Sequence, residues 1–299
     1  MKRKIKADKA IEIKATPYPK GDERKFEKFM QDMTRAMVQQ YKNETFKKLN
    51  KKTIEKFEDA QVGNWAAIFT GLSNKAKRKI KKRFSDDRIK KKVKDLLTSM
   101  NKRSQVEMYA NIEDQIGISS AQLIATEGLT PQYNALIEET FEWTVRNVEE
   151  SLADFSANTL RLMAEGGTIE EVEKGFLQVA KKRVESSKFV ARNQIANFNS
   201  LTGKIRAQNL GITHATWQTA EDERVRPCHA VRNDKVFELS EGLYSSCDGK
   251  TLLPGTDYNC RCISRYIIPG DEDYSPSFHA SYVFSPVDIT TLSALIIAS

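Results

Sequence analysis

Apolar residues recur at three- and four-residue steps through most of the chain, then give way to short alternating runs near its end. The first helical stripe is Phe26, Phe29/Met30, Met33, Met37 and Tyr41. It follows a start rich in lysine and broken by Pro17, Pro19 and Gly21. Proline fixes φ and offers no donor, so this helix is expected from about Asp22. A second is expected from about Asn74 to Asn101, on the stripe Ile80, Phe84, Ile89, Val93, Leu97 and Met100. The longest begins at Thr130, with Pro131 suited to the first turn. Its stripe, Tyr133, Ile137, Phe141, Val145, Val148, Leu152, Phe155, Leu162 and Met163, runs to Gly166-Gly167, with Thr159 where an apolar residue is missing. Thr168 and Glu171 have the spacing of a capping box for a further helix to about Lys182. Another is expected from about Ser186 to Leu210, closed by Gly211 in a left-handed conformation with Ile212 packing back.

Beyond Gly211, β-prone runs at Thr213–Thr219, Lys235–Leu239 and Cys262–Ile268 are separated by polar turns. The expected class is therefore α+β: a mainly α-helical N-terminal body with long helices, a small C-terminal α+β module containing a short antiparallel sheet, and an extended C-terminal tail. The divisions are a basic N-terminal arm at 1–21, the helical body at 22–182, the module at 183–268 and a docking tail at 269–299 (with Pro276 and Pro286). The scarcity of breakers, 14 Gly and 8 Pro in 299 residues, supports helix over tight turns.

The formal charge of +8 hides an asymmetry. Residues 1–105 hold 31 Lys+Arg against 13 Asp+Glu, and the remainder 17 against 27. A basic half joined to an acidic half suggests that one end faces a polyanion, against the plainer reading of a solvated lysine-rich surface. Candidate phosphate contacts are Lys77, Arg78, Lys81, Lys82, Arg83, Arg88, Lys91, Lys92 and Lys94. No aromatic residues interleave with them, so any nucleic-acid contact is expected to ignore sequence. Met1–Lys14 has no apolar core of signal-peptide length, and Leu292–Ala298 is too short to span a membrane. A cytosolic site of synthesis is the default that follows.

All four cysteines, Cys228, Cys247, Cys260 and Cys262, fall in one short window. In a reducing compartment such clusters more often hold metal than form bridges. Cys260 and Cys262 would share one face of a strand, with His229, Cys228 and Cys247 on loops able to fold over them. Soft thiolates and an imidazole suit a tetrahedral structural zinc. The alternative is a set of reduced, buried cysteines and a hydrogen-bonded histidine that fix the loop. Arg224, Arg226 and Arg261 could form a structural network with Asp222 and Glu223, or grip a partner carboxylate or phosphate.

The segment Arg183–Arg265 carries more. It contains Ala191-Arg192, Asn197, Asn199, Gly211, Trp217, Thr219, then Asp222, Arg224, Val225, Arg226 and His229, then Phe237, and finally Pro254, Gly255, Asn259, Cys260, Arg261 and Cys262. In order and spacing this resembles the Mu F-like minor head proteins of the phage head-morphogenesis family. The resemblance covers about 80 of the 299 residues, with Trp217, Asp222, Arg224, Arg226, His229, Asn259, Cys260, Arg261 and Cys262 as its core. It implies a structural virion component that is not an enzyme and is made in the host cytoplasm. Its place would be the capsid interior, its partners the portal, the major capsid or scaffolding protein, and packaged double-stranded DNA, with no membrane. Two departures stand out. Many relatives have a histidine three residues before the first closing cysteine, where this chain has Asp257, which weakens the metal inference. His229 is followed by Ala230-Val231-Arg232-Asn233-Asp234 instead of a Leu-Asp-Gly turn, which Asn-Asp can replace. A competing reading is an enzyme: Glu221-Asp222-Glu223 resembles a Glu-x-Glu signature of ADP-ribosyltransferase toxins, and His229 with Asp222 could serve a metal-dependent nuclease.

Overall fold

A computed structural model of the chain describes residues 10–49 and 63–269. The expected tail at 269–299 lies outside the described residues apart from Pro269, as do residues 1–9 of the arm. Long helices form the body: α1 (Lys20–Glu44), α2 (Gly63–Arg83), α3 (Asp86–Ile116), the short α4 (Ser120–Thr126), α5 (Thr130–Ala164) and α6 (Ile169–Asn209). A small β-rich part follows with β2 (His214–Gln218), the one-turn helix α7 (Pro227–Ala230), β3 (Val236–Glu238), β4 (Leu243–Ser245), β5 (Lys250–Leu252) and β6 (Ile263–Ile268). Strand β1 (Ile11–Glu12) precedes them all.

The apolar stripes bury as their spacing requires. Phe26, Met30, Met33, Met37 and Tyr41 of α1 meet Ile137, Phe141, Val148, Leu152 and Phe155 of α5 and Val172, Phe176 and Ala180 of α6 in one core. Tyr41 stacks on Phe176 at its centre, 5.4 Å between centroids. Thr159 fills the gap in the α5 stripe fully buried, its hydroxyl donating to Phe155 O at 2.6 Å. Thr140, Thr144 and Ser151 do the same one turn back, so each buried hydroxyl is satisfied within its own helix.

Several helix boundaries differ from the sequence expectation: α2 begins at Gly63, before Asn74, and α3 runs on to Ile116, past Asn101. The stripe over 74–101 belongs to two helices, α2 and α3. Phe84 to Ile89 is a step of five residues, which breaks the helical phase, and Ser85 sits at the N-cap position of α3 with Asp86 and Asp87 in its first turn. Conversely, the helices expected to end near Lys182 and restart near Ser186 are one continuous 41-residue helix, α6. No breaker separates them, and Ser187 is buried with its hydroxyl donating to Val184 O. The division drawn at residue 183 therefore falls inside a helix. The Thr168–Glu171 capping box is present, and Gly211 takes φ 77° to close the far end, with Ile212 N returning to Ala207 O.

The four-stranded sheet is antiparallel with strand order β1-β6-β2-β3, and β4-β5 form a separate hairpin. The expected runs at 213–219, 235–239 and 262–268 are β2, β3 and β6. Strand β1 comes from the segment read as a basic arm: Ile11 pairs with Ile268 and Glu12 with Ile267, and Ile13 is buried beneath. Gly203 lets α6 lie close to this sheet, since a Cβ there would run into the Tyr266 hydroxyl.

A second core sits under the sheet. It combines Trp217, Phe237, Leu239, Cys260, Cys262, Tyr266 and Ile268 with Met108, Tyr109, Ile112 and Ile116 of α3 and Leu123 of α4. At the junction of the two cores lies Arg206 of α6, fully buried. Its Nε donates to Glu127 Oε1 at 3.0 Å, and its Nη2 donates to Asn101 Oδ1 at 2.9 Å and to the Tyr133 hydroxyl at 2.7 Å. Glu127, equally buried, also accepts from Gln105 and Tyr133. Removing one member of such a pair strands a charge in the interior. Arg206→Leu is therefore expected to cost about 3–5 kcal/mol in urea unfolding, and Arg206→Leu with Glu127→Leu markedly less. A double variant as unstable as the single one would show that the pair does not act through its charge.

Candidate functional site

The chemistry-bearing residues converge where α6, α7 and the run leading into β6 meet. In that run the side chains alternate: Cys260 and Cys262 turn into the core while Arg261 turns outward to Asp222. Pro227 opens α7, which places His229 over the two cysteines. His229 Nδ1 lies 3.4 Å from Cys260 Sγ and 3.5 Å from Cys262 Sγ, and all three residues are buried. The edge of the His229 ring rests on Trp217, 5.6 Å between centroids. The other ring nitrogen, Nε2, is 3.1 Å from Asp257 Oδ2, which also accepts from Arg226 Nη2 at 2.7 Å.

These contacts set the electrostatics. Burial works against an imidazolium at His229, but hydrogen bonds with Asp257 and Cys260 outweigh it and raise its pKa. Burial likewise opposes the Asp257 carboxylate, yet His229, Arg226 and a backbone N–H hold its pKa at about 2. The Cys262 hydrogen bond and then the nearby imidazole pull the Cys260 thiol well below its usual value, while the hydrogen bond to Cys260 and burial push Cys262 up. The pair thus favours one thiolate, at Cys260.

Of the five ligands expected from the sequence, only His229, Cys260 and Cys262 meet. Cys228 and Cys247 bond to each other as a disulfide, with Cα atoms 5.3 Å apart. The β4-β5 hairpin brings Cys247 within bridging distance of Cys228, and consecutive residues of a helical turn diverge by about 100°, so Cys228 does not share the direction of His229. The expectation that clustered cysteines bind metal in place of bridging is corrected for these two.

The arginines divide the surrounding work. Arg261 and Arg224 both pair with Asp222, whereas Arg226 goes to Asp257. Glu223 takes no part in that network and stands exposed beside Glu221, on a turn where Glu221 has φ 53°. Asn233-Asp234 does form the turn before β3: Asp234 has φ 59°, and Asn233 Oδ1 accepts from Thr219 N and Oγ1. Asn259, at φ 53°, accepts from Arg192 Nη1 at 2.8 Å and donates its N–H to Asn193 Oδ1 at 2.6 Å. Arg192 in turn donates to Glu23 of α1 at 3.0 Å, so the closing loop is tied to the body.

Residues 153–265 match the family described as "Phage Mu protein F like protein". That stretch of the chain is similar to the family. It begins inside α5 and ends inside β6, so it takes in the whole of α6, the His229–Cys260–Cys262 cluster and the Asp222–Arg261 pair. An "Uncharacterized protein" of Haemophilus influenzae is 24% identical over 210 residues, a match that covers 68% of this chain and 46% of the relative. The chain thus spans less than half of that relative's length. No solved structure matches. Strand β1 and helices α1 to α4 lie outside the Mu F-like stretch, yet β1 completes its sheet and α3 fills its core.

Three site residues lacked a sequence signal of their own. Asp257 was visible only as the replacement for a histidine common in relatives. Arg232 and Asp248 form a bidentate pair at 2.9 and 3.0 Å; Arg232 is 1% exposed, and it also donates to Cys228 O and Lys250 O. The candidate phosphate contacts lie on α2 and α3, away from this cluster. Arg78, Lys81, Lys82, Arg83, Arg88, Lys91, Lys92 and Lys94 are exposed and Lys77 is half-buried. Lys81 pairs with Glu149 of α5, so part of the face is neutralised by a neighbouring helix.

The Arg232 hydrogen bonds hold Asp248 below the usual carboxylate range. A depressed pKa contributes stability that is present above the unfolded value, about 3.9, and lost as pH falls below it. Asp248→Asn is expected to cost about 1–2 kcal/mol at pH 7, the carboxylate being partly exposed, and less at pH 3, where the wild type itself loses part of this contribution. Urea unfolding at both pH values checks this; equal acid sensitivity in wild type and variant would contradict it.

Proposed function

We propose that this chain is a minor head protein: a structural component of a phage virion that enters the head during assembly and associates with the portal or the inner surface of the shell. The observation that carries the reading is the Mu F-like match over 153–265, which takes in α6 and the His229–Cys260–Cys262 cluster. The architecture agrees with a structural role. Its buried polar groups are spent on holding elements together: Arg206 on α3 and α5, Arg192 on α1, Arg232 on the β4-β5 hairpin. His229 is enclosed, and Glu221 and Glu223 lie on an exposed turn, an arrangement that does not favour the toxin or nuclease reading. No helix among the described residues is long and apolar enough to cross a membrane.

The basic face of α2 and α3 would contact packaged double-stranded DNA without regard to sequence, through lysine and arginine groups that release counterions on binding. Changing Lys82, Arg88, Lys91, Lys92 and Lys94 together to Gln is expected to lower DNA affinity and flatten its dependence on salt. These residues lie outside both cores, so the fold should survive. An unchanged salt slope would remove DNA from the partners.

The head assignment is tested by quantitative mass spectrometry of gradient-purified, DNA-filled heads from cells producing the protein. It should be present in far fewer copies than the major shell protein. Absence from both full and precursor heads would overturn the assignment.

A further inference from the structure

We infer that His229, Cys260 and Cys262 are the protein ligands of a structural zinc ion. Zinc bonds of about 2.0–2.1 Å to nitrogen and 2.3 Å to sulfur, set at tetrahedral angles, place nitrogen and sulfur about 3.5–3.6 Å apart. The two separations from His229 Nδ1 are 3.4 and 3.5 Å, and every donor pair in the cluster lies within 4.8 Å. Both nitrogen–sulfur separations thus match those across a ZnNS2 tetrahedron.

Nε2 lies 3.1 Å from Asp257 Oδ2 and 3.0 Å from Arg226 Nη2, on the side of the ring away from the cysteines, so Nδ1 is the ring nitrogen that faces the two sulfurs. Arg226 anchors Asp257 in turn, giving the carboxylate–histidine–metal relay that orients imidazole ligands. Two thiolates and one imidazole are a donor set that favours zinc over hard cations such as magnesium. Asp257 sits on the far side of the ring from the sulfurs, and no fourth His, Cys, Asp or Glu joins the cluster among the described residues. All three protein ligands are 5% exposed or less, which leaves no approach for a substrate and makes the ion a staple. It would fasten α7, in the connection from β2 to β3, to the run entering β6. This inference does not depend on the head-protein reading, because its readout is metal content.

The test uses the full chain purified under reductant without added chelator, with zinc measured by inductively coupled plasma mass spectrometry. About one zinc per chain is expected. Cobalt exchanged into the site should give the intense visible bands of tetrahedral coordination and a thiolate-to-metal charge-transfer band. Cys260→Ser and Cys262→Ser should each abolish that charge transfer or halve it, and Asp257→Asn should weaken zinc affinity about 10–100-fold while leaving the stoichiometry at saturation intact. Cys228→Ser with Cys247→Ser should leave zinc content unchanged. Folded wild-type protein that neither contains zinc nor binds zinc or cobalt would overturn the proposal, and that measurement needs no variant. Zinc lost in the Cys228/Cys247 double variant, or retained unchanged in Cys260→Ser, would overturn the assigned ligand set.

Discussion

Two helices, α3 and α6, each run through both apolar cores, and the buried charge of Arg206 marks the point where one core gives way to the other. Upstream of that point α3 contributes Ile89, Val93, Leu97 and Met100 to the helical core; downstream it contributes Met108, Tyr109, Ile112 and Ile116 to the core under the sheet. Helix α6 does the same with Phe176, Ile195 and Phe198 on one side and Ala207 on the other. A guanidinium placed between two apolar clusters is tolerable only with its partners in place. Asn101, Glu127 and Tyr133 therefore fix the registers of α3, the α4–α5 link and α5 against α6. Body and sheet are joined by shared secondary structure, with no flexible linker between them.

The loop that closes the Mu F-like region depends on this arrangement. Because α6 is uninterrupted, Arg192 and Asn193 reach Asn259 while Arg192 also holds Glu23 of α1. Asn259 in its left-handed conformation then turns the chain so that Cys260 and Cys262 enter the core beneath His229. Three carboxylate–arginine contacts, Asp222–Arg261, Asp257–Arg226 and Asp248–Arg232, secure the loops around that point. The site is thus a convergence of segments distant in sequence, with its ionisable groups committed to one another.

The lysines and arginines of α2 and α3 are mostly exposed to solvent. Some of their charge is absorbed by acidic residues of α1 and α5, as in Lys79–Glu44, Lys81–Glu149 and Lys90–Glu138. Such exposed pairs are weak, so a polyanion of high charge density could displace them at little cost. The acidic excess of the second half of the chain finds an outlet here: part of it lies on α5, beside the lysines it offsets.

The helical stripes, the Thr168 capping box, the Gly211 closure and the strands β2, β3 and β6 were legible in the sequence, because each is governed by interactions within a few residues. So was the Mu F-like resemblance, whose residues lie in one continuous segment. The break at Ser85 was missed by the expectation of one helix over 74–101, although the five-residue step from Phe84 to Ile89 marks it. Other features depended on contacts between distant segments. Ile11 and Glu12 look like part of a basic arm until β6 supplies the strand edge that pairs with them. The polar side chains of Arg206 and Glu127 resemble any surface residues until α3, α5 and α6 surround them. Cys228 and Cys247 matched Cys260 and Cys262 as candidate ligands, and only the position of the β4-β5 hairpin separated a bridged pair from a pair beneath His229. Local periodicity determined which elements form, while the choice of partner for each strand edge, buried charge and sulfur was made by which segments the two shared helices bring together.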